Sequence, residues 1–107
     1  MLWARIRGHA KIRGLVFGIT IQDAWGQFLN QGRKCAYTGT TLKFGSSVKD
    51  TRAGGCTASL DRIDNTQGYF KSNIHWVHKD INQMKNDFTV SRFIELCCAV
   101  ARHEAEK

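Results

Sequence analysis

Four polar residues are spaced along residues 59–85: Asp61, Asn73 twelve positions on, Asn82 nine further, and Lys85 three after that. Their types suit work on a phosphate ester. A carboxylate oxygen and an amide oxygen, with positions left for water and substrate, match a hard cation such as Mg²⁺. An ordinary packing segment has no use for this polar set.

Chemistry of that kind needs elements that bring distant residues together. A short apolar strand ends at Asp61, a Gly-containing loop follows, a second strand covers Ile74 to Val77, and a helix opens near His78. The order is strand, loop, strand, helix. In the helix, His78, Asn82 and Lys85 share one face, and Val77, Ile81, Met84 and Phe88 share another. The expected arrangement docks the apolar face on the strands and turns the polar face to the site.

At these residues the chain resembles the HNH endonucleases. The resemblance runs from the CAYTG string at Cys35 to Gly39, through Asp-Arg-Ile-Asp at residues 61–64, to about Ala101. It implies an α+β fold with a ββα-metal core (the His-Me finger) flanked by N-terminal and C-terminal helices. It also implies Asp61 and Asn82 as ligands of Mg²⁺ or Mn²⁺, a supporting Asn73, and Lys85 at a frequent family position. The implied activity is metal-dependent hydrolysis of DNA phosphodiester bonds, by nicking or double-strand cleavage. Small phage-type members carrying Asp-Arg-Ile-Asp look similar, so a cytoplasmic protein, bacterial or phage-encoded, is expected.

One position departs from the family. Most HNH nucleases follow the first ligand with the His that acts as general base, and here Arg62 stands there. A guanidinium stays protonated and takes no proton from water. Arg62 is therefore read as a phosphate clamp, or as the mark of an absent base. His75 on the second strand and His78 at the helix start are the two histidines inside the motif, and either is a candidate base. The catalytic set is thus Asp61, Arg62, Asn73, His75, His78 and Asn82. Asp61→Ala and Asn82→Ala are expected to stop cleavage and spare the fold. The alternative is an HNH-like module that binds nucleic acid without cutting it.

The rest of the chain agrees with a polyanion partner. Residues 1–49 hold eight Lys or Arg and one acid, whereas residues 50–107 hold eight of each, so the whole net charge of +7 sits in the first part. A one-sided basic balance points to nucleic acid, here DNA. The expected contacts are Arg5, Arg7, Lys11 and Arg13 on a short basic helix or arm, Lys49 and Arg52 in a polar loop over 45–55, and Lys85. With 107 residues the chain makes one domain. It divides into a basic helical part (1–33), the core (about 34–88) and a last helix (about 91–104).

Within the first part, Thr20 and Asp23 open a helix whose stripe of Ile21, Ala24, Trp25, Phe28 and Leu29 is expected in the core. Thr41 to Phe44 is a further strand candidate. The last helix is expected to pack on the N-terminal helices. No apolar run reaches the ~18 residues of a membrane span, and no leader is apparent. Adjacent Cys97 and Cys98 argue against a disulfide framework. A structural zinc would find only Cys35 and His78, with Thr38 and Ile81 at the other two places, which is too few ligands. One HNH site cuts one strand, so a double-strand break calls for two events or a homodimer.

Overall fold

Thr20 and Asp23 close the start of a helix on each other. The Thr20 hydroxyl accepts from the Asp23 backbone N–H at 3.1 Å, and the Asp23 carboxylate accepts from the Thr20 N–H at 3.0 Å. This reciprocal cap satisfies two donors that the helix leaves unpaired. A computed structural model describes residues 2–107. It contains α1 (Leu2–Ile12), α2 (Ile21–Asn30), a single turn α3 (Val48–Asp50), β1 (Ala58–Arg62), β2 (Ile74–His78), α4 (Lys79–Lys85) and α5 (Val90–Ala105). Mixed helix and a small two-stranded antiparallel sheet make it an α+β protein.

The sheet has β1 and β2 side by side, with Asp61 opposite His75 and Leu60 opposite Trp76. Side chains alternate between its faces. One face carries Leu60, Arg62, Ile74 and Trp76. Trp76 packs edge-on to Phe28 and Phe44, at 5.8 and 5.3 Å between ring centroids, and donates from its indole nitrogen to the Ala24 carbonyl at 2.8 Å. That bond ties α2 to the sheet. The core of Ala24, Phe28, Leu60, Ile74 and Trp76 sits between them.

Several expectations change here. Of the α2 stripe, only Ala24 and Phe28 are buried. Trp25 is 45% exposed, stacked on Phe28 with the Arg33 guanidinium 5.7 Å above its ring. Two strands are too narrow to cover a five-residue stripe. Thr41 makes a single bridge to Lys34 rather than a strand. Residues 45–55 are not an open loop: α3 is followed by a wide helical turn over Thr51–Gly55, in which Gly54 takes φ 88°. α5 does not lie on the N-terminal helices. Phe93 is its one buried residue, against Tyr37 at 5.5 Å, and Val100 is 64% exposed. Among the described residues no helix is long and apolar enough to cross a membrane.

Candidate functional site

The second face of the sheet carries Ser59, Asp61, His75 and Val77, and α4 lies against it. His75 is the cross-strand partner of Asp61. Their side chains therefore meet, and His75 Nε2 stands 2.7 Å from Asp61 Oδ2. An ionised carboxylate only accepts, so the proton on Nε2 belongs to His75.

From α4, Lys85 reaches the same carboxylate at 3.3 Å to Oδ1 and 3.2 Å to Oδ2. Its ammonium also donates to the Arg62 carbonyl at 3.2 Å and meets Asn65 Oδ1 at 3.5 Å. Lys85 is wholly buried and Asp61 is 6% exposed. A buried charge needs a partner and hydrogen bonds, and each of these two residues is the other's partner. One turn earlier on α4, Asn82 donates from Nδ2 to the Ser59 hydroxyl at 2.7 Å, and among the described residues its amide oxygen meets no donor.

The helix thus docks with its polar face down. This reverses the expectation from periodicity. Met84 and Phe88, expected against the strands, are 59% and 44% exposed. The ion pair with Asp61 decides the rotation of α4. It also removes Lys85 from the nucleic-acid contacts, because a wholly buried ammonium meets no DNA.

Asp61 and Asn82 open onto one polar cavity of about 430 Å³, whose wall also includes Arg13, Arg62, Asn65 and Lys79. Arg62 belongs to this wall, but its guanidinium is engaged. Nη1 donates to the carbonyls of Asn65 at 2.9 Å and Gln67 at 2.8 Å, and the group lies 5.8 Å over the Tyr69 ring. Asn73 works on the same loop. Its Oδ1 accepts from the Asp64 N–H at 2.8 Å, and its Nδ2 donates to the carbonyls of Asp64 and Gly68 at 3.1 and 2.9 Å. The two side chains supply the hydrogen bonds that a strand-to-strand loop cannot make for itself. Both side chains staple the loop, a task that neither reading of Arg62 drawn from the sequence includes.

A prediction follows for Arg62. Arg62→Met keeps the aliphatic stem and removes two charge-assisted bonds to half-buried carbonyls, each worth roughly 1.5–3 kcal/mol. Thermal melting should fall accordingly, and Arg62→His should destabilise rather than activate. An Arg62→His variant that melts like the parent and cuts faster would restore the reading of an absent base.

His78 is the N-cap of α4. Its Nδ1 accepts from the Asp80 N–H at 3.1 Å, and its own N–H donates to Cys35 Sγ at 3.3 Å. It does not line the cavity, so the structure separates it from Asp61 and assigns it to the cap. The neighbouring Cys35 thiol is pushed up by burial, but hydrogen bonds from Thr38, His78 and Tyr37 together hold it below the usual thiol value. Thr38 and Ile81 add no ligand there. Tyr37 packs edge-on to His75 at 5.0 Å, and its buried hydroxyl has no partner. Burial, and then the nearby Asp61 charge, push that phenol up to about 12.

The remaining cations separate. Arg5 and Arg52 face a second cavity beside Phe44, and Arg7 and Lys11 face a third beside Trp3 and Phe17. Lys49 is exposed on α3 and lies on none of these walls. Of the four arm cations, only Arg13 reaches the cavity of Asp61 and Asn82. The residues that sequence reasoning passed over are Ser59, Asn65 and Lys79. Ser59 was within reach of the period-two rule, two positions before Asp61, whereas nothing in the sequence marks the other two.

Among the described residues, no group of three His, Cys, Asp or Glu side chains stands close enough to hold a metal. A hard cation held by one carboxylate and one amide asks for less. Among the described residues, the Asn82 oxygen meets no donor and Asp61 Oδ1 accepts from Lys85 alone, and both residues line the cavity. The donor set fits Mg²⁺ or Mn²⁺ with water and phosphate completing the shell.

In comparison with known proteins, 61 residues of this chain, 57% of its length, are 38% identical to the "Uncharacterized 29.0 kDa protein in dda-modA intergenic region" of Enterobacteria phage T4. The match spans 22% of that relative, so the two correspond over about a fifth of the phage protein's length. No family model matches the chain, and no solved structure does.

Proposed function

We propose that this protein is a divalent-metal-dependent DNA endonuclease of the HNH type, built on a ββα-metal core formed by β1, β2 and α4. The observation that carries the reading is the convergence of Asp61, from a strand, and Asn82, from the following helix, on one polar cavity. That is the strand-and-helix pair that the family resemblance nominates. The basic half of the chain supports a polyanionic substrate.

Each residue has a task in this reading. Asp61 and Asn82 hold the cation through their oxygens. Bound there, a divalent ion would supply charge stabilisation to the phosphoryl oxygens and the leaving oxygen. His75 fixes the rotamer of Asp61 through the Nε2 hydrogen bond. Lys85 neutralises the buried carboxylate and joins α4 to β1. Arg62 and Asn73 set the loop that frames the cavity. His75 is thus a positioning residue, with its proton directed at Asp61.

A second reading has its own observation. Asp61 already has two protein partners, Lys85 and His75, as a carboxylate with a purely structural task would. On that reading the protein binds DNA and does not cut it.

Supercoiled plasmid separates the two. Incubation with Mg²⁺ or Mn²⁺ should convert it to open circles or linear DNA, and EDTA should stop the conversion. Plasmid that stays intact with either metal, while a gel shift shows binding, would leave only the second reading.

A further inference from the structure

We propose that Arg13 and Lys79 form a clamp that holds one phosphodiester group of the nucleic acid over Asp61 and Asn82. The proposal rests on the site described above, and not on cleavage taking place there.

Arg62 is the cation that the sequence offers first. Its Nη1 is committed to the Asn65 and Gln67 carbonyls and its plane to Tyr69. Lys85 is buried against Asp61. Lys85 is closed to a phosphate, and Arg62 is anchored through Nη1. The other two cations on the cavity wall are Arg13 and Lys79. Both are exposed, and among the described residues neither has an ion-pair partner.

They also come from different elements. Lys79 is the first residue of α4, two helical positions before Ile81 and one turn from Asn82. Arg13 follows the end of α1, and its place is built rather than loose. Its N–H donates to the His9 carbonyl at 3.0 Å. Gly14 then takes φ 69°, a left-handed turn that glycine enters at low cost. Beyond it, the chain bridges to the strand-to-strand loop: Tyr69 N–H donates to the Val16 carbonyl at 2.8 Å, and Gly18 N–H donates to the Tyr69 carbonyl at 2.7 Å. The bridge fastens the N-terminal segment beside the same loop that Arg62 and Asn73 hold. A carbon added at Gly68 would lie 2.5 Å from the Val16 carbonyl oxygen, so the close approach depends on that glycine.

Two cations on the walls of one cavity of about 430 Å³ suit a single anionic group. A phosphodiester presents two non-bridging oxygens, and each can accept a charge-assisted bond of about 2.7–2.9 Å, one from each cation. Arg7 and Lys11, on a different face, would meet other phosphates.

The test is DNA binding read against salt. A labelled duplex is titrated by fluorescence anisotropy with the wild-type chain, Arg13→Gln, Lys79→Gln, the double variant Arg13→Gln with Lys79→Gln, and a control pair, Arg7→Gln with Lys79→Gln. Each phosphate neutralised contributes about 0.9 to the slope of log K against log salt. If Arg13 and Lys79 share one phosphate, each single change should weaken binding about 3–10-fold and leave the slope nearly unchanged. The double variant should then lower the slope by about 0.9, and the control pair should weaken binding as the product of its singles. Slope losses that add in the Arg13 and Lys79 pair, or an Arg13→Gln variant that binds like wild type, would overturn the clamp. Absence of DNA binding by the wild-type chain would overturn it too. Because the readout is binding, a clamp that holds in a protein that never nicks plasmid would remove the nuclease reading alone.

Discussion

Lys85→Met should lower the melting temperature by roughly 10–20 °C. The ammonium is wholly buried and touches Asp61, the Arg62 carbonyl and Asn65. Removing one member of a buried ion pair leaves the other charge uncompensated, at a cost of about 3–5 kcal/mol. In a domain of just over 100 residues, 1 kcal/mol moves the midpoint by about 4 °C. Asp61→Asn should destabilise for the mirror-image reason, since the ammonium is then left with neutral acceptors. The double variant Asp61→Asn with Lys85→Met should lose less than the two singles combined, because neither uncompensated charge remains, and coupling of about 1–3 kcal/mol is expected for direct contact. A Lys85→Met protein that melts within about 2 °C of wild type would show that the pair contributes little. This revises the expectation that Asp61 could be changed to Ala without harm to the fold. A loss of activity in that variant would mix a missing oxygen with a weakened structure, so thermal melts must accompany any rate.

Asn82→Ala gives the cleaner test of chemistry and should reduce divalent-dependent cleavage by about 100-fold or more, the scale on which a preorganised electrostatic partner is lost. The fold should persist. What disappears structurally is one half-buried hydrogen bond to Ser59, worth about 0.5–1.5 kcal/mol. Ser59→Ala removes the same bond from its other end and leaves the Asn82 oxygen in place. It should therefore cut within a few-fold of the wild-type rate, with a similar small loss of stability. Equal rate losses in Ser59→Ala and Asn82→Ala would mean that Asn82 acts only by holding its own position. No loss in Asn82→Ala would remove it from the metal site.

The order of strand, loop, strand and helix could be read from residues 58–85 because it depends on local rules: alternation along the strands and side-chain caps at the helix starts. The Thr20 and Asp23 cap of α2 and the loop-holding task of Asn73 were legible for the same reason, since their partners lie within nine residues. The sequence also nominated Asp61 and Asn82 by type and spacing, and the fold directs both to one cavity. What each cation does was decided only in three dimensions. Arg62 and Lys85 have residue types that suit a phosphate, but each finds acceptors within the fold: those of Arg62 lie in its own loop, whereas Lys85 meets Asp61 on a strand whose approach no local pattern encodes. The arm cations follow one another in the chain yet face three different cavities, because a helix turns its successive residues to different sides and the bridge from Val16 to Tyr69 sets which side meets the site. A side chain's type limits the chemistry open to it. Whether it meets water, substrate or a buried carboxylate depends on what the rest of the chain places opposite it.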